Sequence, residues 1–190
     1  PDRITCAQTH SMHGDWFKEQ SRIKDWIRES QAHQAFATAI VTDALRRRSD
    51  VVVSSALHLL IDAWPSGWMK AVVGVDRVPK PAYFAFQKSL EPIRVNLRCD
   101  RWKAYGGETV EVEAWVLNDT PVDVRDYRVI ATVRKAGQDY GSFEVNVDAK
   151  AVFPTYAGTI PVDVPEVCDR ETFFVDAALL DAAGNVVNVE

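Results

Sequence analysis

The residues with the clearest chemical potential lie together in the stretch LIDAWPSGWMK. Asp62 stands two positions before Trp64, and Trp68 follows four positions later, with a proline and a glycine between the two rings. A pyranose has an apolar CH face that can stack on an aromatic ring, and its hydroxyls hydrogen-bond to carboxylates. The stretch offers both contacts. The alternative is structural: the two rings fill a core and Asp62 caps the next turn.

Three further groups of residues are weaker candidates. His10 and His13 are three positions apart and Asp15 is close by, but a metal site would need another ligand. A loop that lines a ligand pocket, or a plain surface loop, is the preferred interpretation. His58 lies in an apolar run and is predicted to be a hydrogen-bonded core histidine. Asn118 begins an N-glycosylation triplet, NDT, which is short enough to arise by chance.

The segment before Asp62 predicts two helices and a buried strand. Residues 15–48 have helical periodicity, with a break after Ser30. The second helix ends at three arginines, residues 46–48, where positive charges interact favourably with the helix dipole. Residues 51–61 form a nearly continuous apolar run without alternation, which predicts a strand buried on both faces. Ligands of parallel α/β folds bind at the C-terminal ends of strands. One strand cannot form a parallel sheet, so either its neighbours lie outside this chain or the strand prediction is wrong.

After a short predicted helix with Pro81 in its first turn, the periodicity changes to two. Seven short strands are predicted, at 93–99, 109–116, 127–133, 143–147, 156–162, 172–180 and 185–189, the last two joined by a turn at Gly184. This pattern favours an immunoglobulin-like antiparallel β-sandwich. The domain boundary falls near 90–92, without a flexible linker, which gives domains of residues 1–90 and 91–190.

Composition excludes several classes of partner. The chain has 190 residues, 47% of them hydrophobic, and a net charge of −5 without a long basic run, so nucleic acid is not expected as a partner. No apolar run reaches the about 18 residues of a membrane span, so no membrane partner is expected.

The chain begins with Pro1, as a mature product or a piece of a longer protein would, and cytoplasmic, periplasmic and secreted locations all stay open. Cys99 and Cys168 could pair, or all three cysteines could be inert thiols.

A set of motifs around the aromatic stretch resembles a known enzyme family. The matching residues are Asp62, Trp64, Pro65, Trp68, Asp76, Pro79, Lys80, Pro81, Ala82 and Tyr83, together with the Gln31–Ala32 pair of the preceding helix. They resemble the end of the catalytic barrel of family 2 glycoside hydrolases, the β-galactosidase, β-mannosidase and β-glucuronidase group. The resemblance implies that residues 1–90 are the last helices and last strand of a (β/α)8 TIM barrel, followed by the sandwich. Ile61 departs from the family, which usually has Asn there.

The resemblance implies hydrolysis of terminal β-glycosidic bonds of a carbohydrate substrate with retention, and no metal or organic cofactor. Asp62 would hydrogen-bond sugar hydroxyls, Trp64 would form a wall of the sugar site and Trp68 would support it. Retaining glycosidases need two carboxylates about 5 Å apart. The early carboxylates, at Asp2, Asp15, Glu19 and Glu29, do not match the family's catalytic motif. No catalytic residue is assigned, and the isolated chain is expected to be inactive.

Two other interpretations stay open. The sandwich could be a non-catalytic carbohydrate-binding or adhesion module, or a structural spacer. Trp102 and Tyr105, in the first loop of the sandwich, could stack on a sugar, although packing is the more ordinary reason for such rings. If residues 1–90 are part of a barrel, their apolar helix faces lack their neighbours, which predicts self-association.

Overall fold

The computed structural model describes residues 20–52, 54–65, 70–166 and 171–190. Its elements are α1 Ile23–Arg46, α2 Pro81–Ser89, β1 Ile93–Cys99, β2 Thr109–Asn118, β3 Val124–Lys135, β4 Gln138–Ala149, β5 Phe153–Asp163, β6 Phe174–Leu180 and β7 Val186–Val189. The chain forms two compact units. The helical unit comprises Pro1–Leu45 and Ser54–Glu91, and the sandwich unit comprises Arg46–Val53 and Pro92–Glu190.

The sandwich unit consists of two antiparallel sheets, with strand orders β1-β2-β5 and β4-β3-β6-β7. Strands are present at all seven predicted places, because alternating apolar side chains can bury one face of each strand. The buried face of β2, with Val112, Ala114 and Val116, packs in the same core as residues of β3 and β6 such as Val129 and Leu179. β4 pairs with β3 rather than with β5, which differs from the order of a constant-type immunoglobulin domain.

The segment Arg46–Val53, which begins at the last residue of α1, belongs to the sandwich unit, whereas the rest of α1 belongs to the helical unit. The Arg46 guanidinium, 9% exposed, forms an ion pair with Asp119, with Nη2 and Oδ2 2.9 Å apart. The Arg47 guanidinium donates a hydrogen bond to the side-chain oxygen of Asn96 on β1. The arginines at the end of α1 therefore bind specific partners in addition to complementing the helix dipole.

α1 is one continuous helix of 24 residues, so the predicted break after Ser30 is wrong. The Ser30 hydroxyl donates a hydrogen bond to the Ile27 carbonyl oxygen at 2.9 Å, which accommodates this residue within the helix. α2 begins with Pro81, as predicted, because a first-turn position needs no backbone N–H donor.

The predicted buried strand at 51–61 is also wrong. The described part of this run contains no strand, only an isolated bridge between Ile61 and Val73. Val51 and Leu60 are exposed, and so is His58, which is therefore not a core histidine. A parallel strand needs hydrogen-bonding neighbours and cover on both faces, and the described chain supplies no parallel sheet to provide them.

Candidate functional site

The loop that follows the apolar run is held by a short ladder of backbone hydrogen bonds in the helical unit. Val73 N–H donates to the Leu60 carbonyl and Asp62 N–H donates to the Val73 carbonyl, each at 3.0 Å. Lys80 N–H donates to the Val72 carbonyl at 2.8 Å. These bonds place the backbone of Asp62 and that of Lys80 on either side of the 72–73 segment.

A small apolar core supports this ladder. Val72, Val73 and Ala82 are buried, and Ala35 of α1 and Tyr83 of α2 pack against them. Val72 and Val73 also make ladder hydrogen bonds, so both helices support the backbone that positions Asp62. Packing on two helices makes the backbone at this point a defined platform for side chains rather than a free loop.

Asp62 and Lys80 form a largely buried ion pair. The Lys80 Nζ atom lies 3.0 Å from Asp62 Oδ2, and the two side chains are 17% and 8% exposed. The second carboxylate oxygen, Oδ1, is buried and has no hydrogen-bond partner among the described residues. A buried oxygen without a donor is costly, so a hydrogen-bond donor from outside the described residues would stabilise it.

Of the two tryptophans predicted beside Asp62, the structure describes one. Trp64 is 65% exposed. Trp68 lies outside the described residues.

The ion pair between Asp62 and Lys80 could not be predicted from the sequence. The two residues are 18 positions apart, and their pairing depends on the turn between them. The proline–lysine pair after that turn was the available signal.

The weaker candidates have different outcomes. His10, His13 and Asp15 lie outside the described residues, and the described residues contain no cluster of three metal-ligating side chains. Cys99 carries a free thiol that donates to the Arg101 carbonyl at 2.8 Å, whereas Cys168 lies outside the described residues. Within that same part of the chain, no helix is long and apolar enough to cross a membrane.

Two other sequence features lie in the sandwich unit. The Asn118 side chain is fully buried, and its amide donates to the carbonyls of Val122 and Lys150 at 2.9 and 3.1 Å. In the folded chain, this asparagine of the NDT triplet therefore has a structural role. Trp102 and Tyr105 are 67% and 83% exposed on the β1–β2 loop.

Comparison with known proteins places the fold among β-glycosidases. No protein-family model matches the chain, and no curated protein matches it. The crystal structure of the Amycolatopsis orientalis exo-chitosanase CsxA is similar over 95% of this chain, with a TM-score of 0.68 and 17% sequence identity. The β-D-mannosidase of Dictyoglomus thermophilum is similar over 90%, with a TM-score of 0.61 and 18% identity.

In both comparisons the chain spans 20% of the matched structure. The resemblance to family 2 glycoside hydrolases is therefore confirmed at the level of the fold: the chain has the fold of a one-fifth segment of these β-glycosidases.

Proposed function

We propose that this chain is the C-terminal portion of a family 2 glycoside hydrolase that cleaves terminal β-glycosidic bonds with retention. Residues 1–90 would be the end of its TIM barrel and residues 91–190 an immunoglobulin-like sandwich. The observation that carries the proposal is the carboxylate of Asp62. It is held by Lys80, keeps one oxygen without a partner among the described residues, and lies two positions from an exposed tryptophan.

In this proposal the site binds and orients the sugar and does not cleave it. Lys80 fixes the Asp62 carboxylate through Oδ2, which leaves Oδ1 to accept a hydrogen bond from a sugar hydroxyl. The ring of Trp64 offers an apolar surface to the CH face of the same sugar. Cleavage requires two carboxylates about 5 Å apart, which we assign to sequence outside this chain. The isolated chain would accordingly be inactive.

The exposed face of α1 supports the assignment to a larger barrel. Ile23, Ile27 and Val41 are 51%, 44% and 57% exposed, and their spacing places them on one side of the helix. An amphipathic helix normally buries such a face. The missing barrel elements would cover these side chains in the full-length protein, and their exposure here would promote self-association.

The proposed substrate class is based on the enzymes that share the fold. One is described as an exo-chitosanase or exo-β-D-glucosaminidase and the other as a β-D-mannosidase. We propose a terminal β-linked glucosamine or mannose residue as the substrate. The runner-up is a non-catalytic carbohydrate-binding module, which the exposed rings of Trp102 and Tyr105 on the sandwich favour.

The first test is the coding sequence upstream of Pro1. Several hundred additional residues, with a glutamate at the end of two predicted barrel strands, are expected. A start codon close to Pro1 would overturn the enzyme proposal and leave the binding module.

The second test is the Asp62→Asn substitution in the full-length enzyme. With p-nitrophenyl β-D-glucosaminide and β-D-mannoside as substrates, we expect kcat/KM to fall by about a hundredfold on the preferred one, because a charged acceptor to a sugar hydroxyl is lost. Asp100→Asn, at a carboxylate 80% exposed in the sandwich unit, is the control and should leave kcat/KM unchanged. Equal activity of Asp62→Asn and the control would exclude Asp62 from the sugar site.

A further inference from the structure

A groove on the three-stranded sheet of the sandwich unit has no part in the function proposed above. Its volume is about 390 Å³, and its walls include Trp115, Phe153, Tyr156, Asp50, Asp148 and Lys150. This volume lies within the range of sites that bind small molecules in proteins.

The two central rings of the groove lie on the outer face of the sheet. Trp115 and Tyr156 are register partners on β2 and β5, so their side chains share a face. Trp115 alternates along β2 with Ala114 and Val116, which are buried in the sandwich core, and therefore points away from that core.

Both rings are fixed before any ligand binds. Their centroids are 5.3 Å apart in an edge-to-face arrangement. The Trp115 indole N–H donates to Glu113 Oε2 at 2.9 Å, and the Tyr156 hydroxyl shares a 2.5 Å hydrogen bond with the Thr159 hydroxyl. Tyr156 nevertheless stays 50% exposed. A fixed and exposed aromatic surface binds flat apolar faces with little loss of conformational entropy.

Charged groups surround these rings. Asp50, Asp148 and Lys150 are exposed and line the same groove. Asp148 Oδ1 accepts a hydrogen bond from the backbone N–H of Asp126 at 2.8 Å, which orients the carboxylate. A wholly apolar ligand would desolvate these charges without pairing them, whereas a polyhydroxylated ring offers both donors and acceptors.

We propose that this groove is a second saccharide-binding site, separate from the loop of Asp62 and built entirely on the sandwich unit. The apolar face of one sugar ring would lie on Tyr156 and Trp115. Its hydroxyls would hydrogen-bond to the carboxylates of Asp50 and Asp148 and to the Lys150 amine. The site would hold a carbohydrate chain without cleaving it, and it requires no upstream catalytic barrel.

The test is a titration of the complete 190-residue chain with two probes, the β-1,4-linked glucose hexamer and the β-1,4-linked glucosamine hexamer, followed by calorimetry. Binding of at least one hexamer with a Kd of about 1 mM or tighter is expected for a single stacked ring with a few hydrogen bonds. The Tyr156→Ala and Trp115→Ala variants should weaken this binding by about tenfold or more.

Tyr140→Ala is the matched control. Tyr140 is 44% exposed on the other sheet and forms an edge-to-face pair with Phe173, with centroids 5.4 Å apart, so its removal costs the fold a similar contact outside the groove. It should bind the hexamer as the unmodified chain does. The proposal is overturned if neither hexamer binds, or if Tyr156→Ala, with its fold verified by circular dichroism, binds as tightly as the control. Binding that is lost in Asp62→Asn but retained in Tyr156→Ala would place the hexamer at the loop of Asp62 and would likewise overturn the groove proposal.

Discussion

The position of the Asp62 carboxylate depends on Lys80. Replacing Lys80 by Met keeps the length of the side chain but leaves a buried carboxylate without its counter-charge. We expect the free energy of unfolding in urea to fall by about 3 kcal/mol, since breaking one side of a buried ion pair is strongly destabilising. Lys103→Met, at an exposed lysine, is the control and should change stability by less than about 0.5 kcal/mol. Equal stability of the two variants would show that the pair contributes nothing.

Glu113 gives the sandwich a pH-dependent contact. Partial burial acts to raise the pKa of Glu113, but hydrogen bonds from Trp115 and Arg98, together with the charges of Arg98 and Arg47, outweigh burial and lower it below its ordinary value of 4.5. A carboxyl whose pKa is lower in the folded than in the unfolded state stabilises the fold above the unfolded pKa. This contribution is lost as the pH falls through the folded pKa.

The corresponding measurement is the free energy of unfolding between about pH 6 and about pH 3. Glu113→Gln should show a smaller loss of stability on acidification than the unmodified chain. Glu111→Gln, two residues earlier and exposed on the same face of β2, should retain the full loss. Identical pH profiles for the two variants would contradict a role for Glu113 in acid sensitivity.

The residue types around Asp62 could be identified from the sequence, but their arrangement could not. The Asp–x–Trp spacing predicted a carboxylate beside an aromatic ring, and the structure shows an exposed Trp64 two positions after Asp62. The role of Lys80 was missed because it depends on the ladder at Val72 and Val73, and such cross-chain contacts have no local sequence pattern. The groove at Trp115 and Tyr156 was missed for the same reason, since the two strands are distant in sequence.

Among the secondary-structure elements, the β3–β4 turn offers a direct test of backbone geometry. Ala136 and Gly137, the two residues between these strands, both have positive φ, at 49° and 80°. This is the geometry of a type I′ turn, which favours Asn–Gly. Ala136→Asn should therefore stabilise the chain by about 0.5 kcal/mol in thermal unfolding, because alanine is strained at positive φ.

Ala183→Asn is the control for that substitution. Ala183 lies in the β6–β7 turn and is exposed, but it is not among the described residues with positive φ, so asparagine should bring no gain there. A stabilising effect of similar size at both positions would point to a general effect of asparagine rather than to the turn type.

The strands could be predicted from the sequence because each carries its own alternating pattern and ends at a turn, as at Gly184, where φ is +87°. The apolar run at 51–61 failed because it has no such pattern, and an apolar run becomes a strand only where other strands pair with it. The predicted break after Ser30 is absent because the Ser30 hydroxyl donates to a carbonyl within α1.

At the scale of the whole molecule, the exposed face of α1 should promote association between copies of the chain. Val41→Glu would place a charge on this face, and sedimentation velocity over a range of concentrations should show a shift from oligomer towards monomer. Val122→Glu is the control, at a valine 64% exposed in the sandwich unit, and should sediment as the unmodified chain does. A chain that is monomeric at every concentration would contradict self-association through α1.

The early position of Arg46–Val53 in the sequence has a consequence for how the sandwich is completed. This segment leaves the ribosome before β1 and β2, and thus before Asn96 and Asp119, which bind Arg47 and Arg46. The sandwich unit is therefore discontinuous, and a protease that cuts once near Pro92 would release strands that have lost part of their own unit. Only a fragment beginning before Arg46 retains both arginines on the same chain as the strands that bind them.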